Sequence, residues 1–299
     1  MNPIIFLTYF FIMTISSHSK DDSSLIKKGA TLQKLSGEFA FTEGPAADAE
    51  GNVYFTDQPN DRIMKWSVDG ILTTYMQPSG RSNGMFFDRK GRLWSCADAK
   101  NELWIIDKDK NKETVVVKEY EGQRLNGPND VWVTPQGAAY FTDPFYKRDW
   151  WEHTEQPIDV QGVYLLSKDH KTLTRVIDDF KKPNGIVGTP DGKKLYLTDI
   201  GDSKIYHYKI NKDGSLSEKT LLCEERSDGI TLDEKGNLYL TNSNGVTAYS
   251  PEGEKLLNIP TGEGWTANVC FGGKDHNILF ITASKGLYSM EMNVKGVKP

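Results

Sequence analysis

Short apolar stretches alternate with polar turns along almost the whole chain, with very little of the 3.6-residue period of a helix. One phrase recurs: a polar residue, a short strand, a glycine turn, and an aromatic strand that ends in Thr-Asp. Its fullest copy is RLNGPNDVWVTPQGAAYFTDP, from Arg124 to Pro144. The copies follow one another about every 45 residues, which is typical of repeat architectures.

Each copy starts at one fixed place, just before or at the head of its first strand. The six starting residues are Glu43, Asn83, Asn129, Asn184, Asp228 and, in a degenerate last copy, Ala267. A turn residue follows in each copy: Gly51, Gly91, Gly137, Gly192, Gly236 and Asp275. An aromatic residue comes next: Tyr54, Trp94, Tyr140, Tyr196, Tyr239 and Phe280. About four short strands per unit predict an all-β fold, a six-bladed β-propeller, whereas leucine-rich repeats are shorter and helical repeats need a helical period.

The sixth copy ends with LYSMEM and is one strand short. We expect the segment Thr31–Leu35 to supply the missing outer strand, so that the last blade is closed by an N-terminal strand and no sheet edge is left open. No linker divides the chain, and residues 20–299 are therefore predicted to form one propeller domain.

The N-terminus carries an apolar run from Ile4 to Ile15 that ends in small polar residues. This run is too short to cross a bilayer, which needs about 20 residues. It predicts a signal peptide over residues 1–19 and export to the periplasm or the extracellular space. An uncleaved interfacial anchor is the alternative.

Composition excludes several classes of function. A net charge of −5 and the absence of a Lys/Arg-rich run argue against nucleic-acid binding. Three cysteines cannot all pair, and Cys96 and Cys270 fall in apolar strand patterns, so buried thiols are expected. There is no G-x-S-x-G, phosphate-binding loop, dinucleotide fingerprint or H-E-x-x-H motif.

The starting residues point to chemistry at one mouth of the propeller channel. Five of the six carry side-chain oxygens, and the first strand of each blade lines the channel. Asn and Asp also favour turns for purely structural reasons, but Glu has no such preference. Oxygen donors without Cys or His suit calcium, with magnesium, manganese or zinc as alternatives. A divalent-metal site is predicted at this mouth.

Further polar residues stand at the ends of the second strands, on the same face of the ring as the starting residues. Most of these are expected to form turns; Asp143 is singled out because its blade also carries Arg124, Asn126 and Asn129. The longest interval between copies holds the aromatic insert FYKRDWWEHTEQPIDVQG, residues 145–162. This insert is either a lid over the mouth or a surface insertion whose tryptophans pack inward.

The segments EGP at Glu43, RLNGPND at Arg124, FTDP at Phe141, PNG at Pro183 and SDG at Ser227 together resemble the gluconolactonase–regucalcin family, over about residues 30 to 290. The resemblance implies a six-bladed propeller that opens sugar-type lactones with a divalent metal. It implies Glu43, Asn184 and Asp228 as metal ligands, and Asn129 as a further ligand or substrate contact. It also places Arg124 at the substrate and matches Asp143 to an aspartate that some bacterial lactonases use.

The residues and the resemblance together predict a metal-dependent carboxylic-ester hydrolase acting on a small-molecule lactone. The metal would polarise the carbonyl, with Asp228 or Asp143 as the base. Arg124, Asn126 and Asn129 would hold the substrate. The main alternative is a non-catalytic propeller, pinned by calcium, that binds a sugar or a protein. An organophosphatase-like esterase is a third hypothesis.

Overall fold

The computed structural model describes residues 25–108 and 110–298. Within these residues the chain forms six four-stranded antiparallel sheets and one short two-stranded ribbon. In five sheets the strands follow chain order from the inside outward. The predicted all-β, six-bladed propeller is confirmed.

The blades are built from strands of similar length. Blade one contains β2 (Thr42–Ala47), β3 (Val53–Asp57), β4 (Arg62–Trp66) and β5 (Leu72–Met76); a 3-10 turn, Gln58–Asn60, joins β3 and β4. Blade two contains β6 (Ser82–Phe87), β7 (Leu93–Ala97), β8 (Glu102–Asp107) and β9 (Lys112–Val117). The ribbon β10 (Glu119–Tyr120) and β11 (Gln123–Arg124) precedes blade three: β12 (Val131–Val133), β13 (Ala139–Asp143), β14 (Gly162–Leu166) and β15 (Leu173–Ile177).

The second half of the chain repeats this pattern. Blade four contains β16 (Pro183–Gly188), β17 (Lys194–Asp199), β18 (Lys204–Ile210) and β19 (Leu216–Cys223). Blade five contains β20 (Ile230–Leu232), β21 (Leu238–Asn242), β22 (Gly245–Tyr249) and β23 (Lys255–Ile259). Blade six contains β24 (Thr266–Gly272), β25 (Ile278–Ala283), β26 (Gly286–Glu291) and the N-terminal β1 (Gln33–Ser36).

The innermost strand of every blade contacts the innermost strands of both neighbouring blades, and β2 meets β24 to close the ring. The aromatic residues that follow the turns are all buried and fill the space between blades. Tyr54 of blade one packs edge-on against Phe87 of blade two, with ring centroids 5.0 Å apart. The core is therefore a set of inter-blade layers around a central channel.

The N-terminal strand closes the last blade, as predicted. β1 pairs antiparallel with β26, with Gln33 opposite Ser289 and Lys34 opposite Tyr288. Its bounds lie slightly later than the predicted Thr31–Leu35. Leu25, before this strand, is also buried in the blade-six core.

The glycine turns between first and second strands require left-handed backbone. Gly51 has φ of 91°, a conformation that costs glycine little and other residues more. In the sixth turn the left-handed residue is His276, with φ of 54°, rather than the predicted Asp275. His276 N–H donates to Gly273 O, as Gly51 N–H does to Asp48 O.

Threonines near the ends of second strands tie neighbouring blades together. Each hydroxyl donates to the backbone carbonyl of the starting residue in the next blade: Thr56 to Asn83, Thr142 to Asn184, Thr198 to Asp228 and Thr241 to Ala267. These bonds explain why Thr precedes the terminal Asp or Asn in the repeated phrase. They also fix the starting residues relative to one another around the channel mouth.

Several expectations concern other parts of the chain. The signal-peptide prediction for residues 1–19 lies outside the described residues, so it and export remain predictions. Over residues 25–108 and 110–298, the structure has no helix that is both long and apolar enough to cross a membrane. Cys96 and Cys270 are buried free thiols, as predicted, and Cys223 is a partly buried free thiol.

Candidate functional site

A cavity of about 510 Å³ opens at the channel mouth. Its volume falls within the range of small-molecule sites, about 300–1,000 Å³. The structure brings five of the predicted starting residues together on its wall: Glu43, Asn83, Asn129, Asn184 and Asp228. All five are buried. The repeat pattern therefore predicted five residues of the cavity wall.

Two carboxylates, Glu43 and Asp228, face this cavity and are both buried. Glu43 Oε2 accepts hydrogen bonds from Gly44 N (2.8 Å) and Asn268 Nδ2 (3.3 Å). Asp228 Oδ2 accepts one from Trp265 Nε1 at 2.5 Å. Neither carboxylate forms an ion pair with a Lys, Arg or His side chain among the described residues.

Burial raises the pKa of both carboxyl groups, because removal from water disfavours their charged forms. The negative charge of Asp228 raises the pKa of Glu43 further. Two buried acids without a cation between them are an unfavourable arrangement, and a bound cation would relieve it. The electrostatics therefore fit a metal site.

The amide side chains supply further oxygen donors. Asn184 Nδ2 donates to the Tyr146 hydroxyl at 2.9 Å, which fixes the orientation of that amide. Among the residues that the structure describes, there is no group of three or more His, Cys, Asp or Glu placed to hold a metal. A metal here would rely on Glu43, Asp228, amide oxygens and water. Such a donor set suits a hard divalent cation that accepts many oxygen ligands.

A second polar layer, missed in the sequence, lies just below the starting residues. The following positions are glycine in four blades, but Asp130 in blade three and Asn268 in blade six. A Cβ on Gly84 would lie 2.3 Å from Asp130 Oδ1, and one on Gly229 would lie 2.2 Å from Asn268 Oδ1. The glycines make room for these side chains, and the change from glycine to a polar residue was the signal in the sequence.

Asp143 and Asn126 are placed differently from the prediction. Asp143 is fully buried, and its two oxygens accept the backbone N–H groups of Asn126 (2.9 Å) and Gly127 (2.8 Å). The Asn126 side chain bonds Asp143 O, Val160 O and Ile158 N. Neither residue is part of the described wall of the mouth cavity. Their proposed catalytic and substrate-binding roles stay untested, and the contacts favour structural ones.

Two other blades contain the same arrangement, in which one aspartate accepts two backbone N–H groups; we call it an aspartate clamp. In each case the aspartate that ends the second strand accepts two backbone N–H groups from the segment entering its own blade: Asp57 from Ala40 and Phe41, and Asp199 from Lys181 and Lys182. Asp143 follows this rule. The sequence could not distinguish a clamp from a base, because both need an aspartate at this place.

Arg124 lies outside the mouth cavity. It is exposed on β11, and its Nη1 lies 3.0 Å from His153 Nδ1. Together with Trp150, Trp151 and His153 it lines a separate groove between the ribbon and the insert. The structure does not bring Arg124 to the carboxylates, and a role in substrate binding at this mouth has no geometric support.

The insert, residues 145–162, combines features of a cavity wall and of a packed surface insertion. Tyr146 and Arg148 line the mouth cavity. Trp151 instead reaches blade two, where its Nε1 donates to Asp98 O at 2.6 Å and its ring stacks on His153. The first half of the insert therefore forms a cavity wall, and the second half anchors it.

Several polar and charged residues of the cavity wall were not singled out in the sequence. Trp265 orients Asp228, and three cations, Arg148, Lys182 and Arg226, complete the rim. Lys182 and Arg226 each stand two positions before a starting residue, Asn184 and Asp228, but both lie in connecting segments, where strand alternation gives no signal.

Comparison with known proteins agrees with this architecture. A protein-family model described as "SMP-30/Gluconolactonase/LRE-like region" matches residues 41–285. The chain belongs to this family.

Members of the SMP-30/gluconolactonase family resemble the chain over nearly its full length. A gluconolactonase of Zymomonas mobilis is 28% identical over 94% of this chain and 87% of its own. The structure of a gluconolactonase from Xanthomonas campestris shares 28% identity with a TM-score of 0.82, covering 90% of this chain and 91% of that one. A calcium-binding protein, regucalcin, from Agrobacterium tumefaciens has a TM-score of 0.74 at 17% identity, over 90% and 96% of the two chains, which shows the fold alone.

Proposed function

We propose that the chain hydrolyses a sugar-type lactone with a divalent cation held at the channel mouth. Glu43, Asn184 and Asp228 would hold the cation, and Asn129 would be a fourth ligand or a substrate contact. The observation that carries this proposal is the pair of buried carboxylates without a cationic partner, on the wall of a cavity of ligand size. The gluconolactonase relatives support lactones as the substrate class.

A bound divalent cation supplies Lewis-acid polarisation of a carbonyl and lowers the pKa of a nearby water. Asp228 takes the proton of the attacking water while the water oxygen forms a bond to the lactone carbonyl carbon. The ring C–O bond then breaks, and the proton passes to the departing ring oxygen, giving the open hydroxy acid. Trp265 holds Asp228 Oδ2 and so fixes the orientation of this carboxylate.

The remaining cavity residues position the substrate. The amide of Asn129 faces the cavity and can bond substrate hydroxyls or the developing oxyanion. Tyr146 fixes the amide of Asn184. We assign the base to Asp228 rather than Asp143, because both oxygens of Asp143 are occupied by backbone N–H groups away from the cavity.

The metal assignment is tested by calorimetric titration of the chain with calcium. Glu43→Ala and Asp228→Ala each remove a charged ligand, and the affinity should fall by at least about tenfold, or about 1.4 kcal/mol. Asn83→Ala, at the same level of the ring and also on the cavity wall, is the control and should bind within about threefold of wild type. Equal losses in all three variants would contradict the assignment.

A further inference from the structure

Three cations surround the mouth cavity: Arg148 from the insert, Lys182 from the segment before β16, and Arg226 from the segment before β20. Lys182 and Arg226 belong to neighbouring blades four and five. Each stands two positions before a proposed metal ligand, Asn184 or Asp228. The three positive charges therefore line the same cavity as the proposed metal ligands.

Arg148 already has a carboxylate partner. Its Nε donates to Asp98 Oδ2 at 3.0 Å, and Asp98 is buried beside it. Asp98 is free to do so because, in blade two, Asp61 rather than Asp98 accepts the backbone N–H groups of the entering segment, at Ser79 and Arg81. This pair fixes the insert against blade two and neutralises one of the three cations.

Lys182 and Arg226 have no such partner: among the described residues, neither forms an ion pair with a carboxylate. Lys182 Nζ lies over the Tyr146 ring, 4.5 Å from its centroid, and the Arg226 guanidinium lies 5.4 Å from the Trp265 ring centroid. Aromatic faces attract cations and hold them in place without neutralising their charge. Both cations are thus held in place without a carboxylate at ion-pair distance, and Arg226 also acts through its charge on the Asp228 carboxyl, whose pKa it lowers.

Nearby acids are already engaged. Asp202 pairs with Lys181 and Lys204, and Glu225 accepts hydrogen bonds from Asn242 and Tyr249. Lys182, Arg148 and Arg226 all line the same cavity, so their positive charges act on the same space. Like charges gathered at a cavity rim fit an anionic ligand.

We propose that the lactone substrate carries an anionic substituent (a phosphate, sulfonate or carboxylate), which Lys182 and Arg226 bind between blades four and five. This inference rests on the proposed lactonase function and narrows its substrate class. A rival interpretation is that the two cations only offset the negative charge of Glu43 and Asp228. If the two cations bind an anionic substituent, removing them should change the substrate preference. If they only offset the negative charge of Glu43 and Asp228, removing them should change the metal affinity.

The test is a comparison of kcat/KM for charged and neutral lactones with the calcium-loaded full chain. The charged substrates are 6-phosphoglucono-, 6-deoxy-6-sulfoglucono- and glucaro-lactone, whose relative rates identify the anion; glucono-1,5-lactone is the neutral reference. We expect wild type to prefer at least one charged lactone by about tenfold or more. Raising the ionic strength from about 0.05 to 0.5 M should weaken that preference.

Lys182→Gln and Arg226→Gln should each lower the ratio of charged to neutral kcat/KM by about five- to tenfold. Lys181→Gln is the matched control: it neighbours Lys182, but it is exposed, pairs with Asp202 and is not part of the described cavity wall. Its ratio should equal that of wild type. A wild-type ratio of one or less, or an unchanged ratio in the Lys182→Gln/Arg226→Gln double variant, would overturn the inference.

Equilibrium binding separates failure of this inference from failure of the proposed function. If no lactone is hydrolysed, the lactonase proposal fails, and calorimetry with 6-phosphogluconate against gluconate still tests the anion site. Tighter binding of 6-phosphogluconate that is lost in the double variant would support the site. Equal binding of the two acids, or a double variant whose only change is tighter calcium binding, would contradict it and favour the rival interpretation.

Discussion

At the scale of single residues, the aspartates that end the second strands of blades one to four have different surroundings. Asp57, Asp143 and Asp199 each hold two backbone N–H groups. Asp98 instead pairs with Arg148. The repeat shows that an aspartate stands at these places, but only the packed structure shows which partner each one finds.

We expect Asp143→Asn to affect folding first. The carboxylate accepts two backbone N–H groups, and the amide offers one acceptor oxygen, so one charge-assisted hydrogen bond is lost. The free energy of unfolding should fall by about 1.5–3 kcal/mol. Urea unfolding measures this change, and any loss of lactone turnover should follow the loss of folded protein. A fall in turnover of about 10²–10⁴-fold with unchanged stability would instead identify Asp143 as a general base.

Asp98 should give the stability a recognisable pH dependence. Burial raises the pKa of this carboxyl from 3.8 to about 6, even though Arg148 acts to lower it. Because the folded protein holds this proton more tightly than the unfolded chain does, protonation of Asp98 stabilises the fold. This contribution to the unfolding free energy is complete below about pH 4 and is lost as the pH rises through about 6. Relative to Asp98→Asn, wild type should lose up to about 3 kcal/mol of unfolding free energy between pH 4 and 7.

The control for Asp98 is Asp202→Asn. Asp202 is a surface carboxyl whose pKa is lowered to about 2 by its bonds to Lys181 and Lys204. Because the Asp202→Asn variant keeps Asp98, its stability should fall between pH 4 and 7 as that of wild type does. Denaturant unfolding across this pH range measures both variants, and parallel curves for wild type and Asp98→Asn would refute the effect.

At the scale of elements, regular strands and turns were predictable because each rests on local chemistry: alternation, a left-handed glycine, a following aromatic. The insert was not predictable in this way. Its side chains are placed by distant partners, Trp151 by the Asp98 carbonyl and Tyr146 by the Asn184 amide. Such contacts leave no periodic trace in the sequence.

The N-terminal strand provides the test at this scale. A chain that starts at Gly37 lacks β1 and Leu25, so β26 becomes an exposed edge and part of the blade-six core is lost. Because folded domains are stable by only about 5–15 kcal/mol, this loss should lower the melting temperature strongly or prevent folding. A chain that starts at residue 24 keeps both features and is the control; equal melting of the two chains would contradict the closure.

At the scale of the whole molecule, the ring brings together residues that lie far apart in the sequence. Glu43 and Asp228 come from blades one and five, yet both reach one cavity because every blade presents its first strand to the same channel. The repeat was therefore enough to predict the carboxylates and the amides around them. The cationic rim and Trp265 were not predicted, because they lie in connecting segments whose paths differ from blade to blade.

We propose that lactone hydrolysis at this mouth needs a divalent cation. The most direct measurement is the initial rate of proton release from a panel of aldonolactones, corrected for spontaneous opening, before and after treatment with a chelator. We predict that chelation lowers the rate by at least about 100-fold, that calcium restores it, and that Asp228→Asn regains activity only in part at high calcium. Rates that are unchanged by the chelator would show that hydrolysis does not need the cation, and calcium binding without turnover of any lactone would show that the protein is not a lactonase.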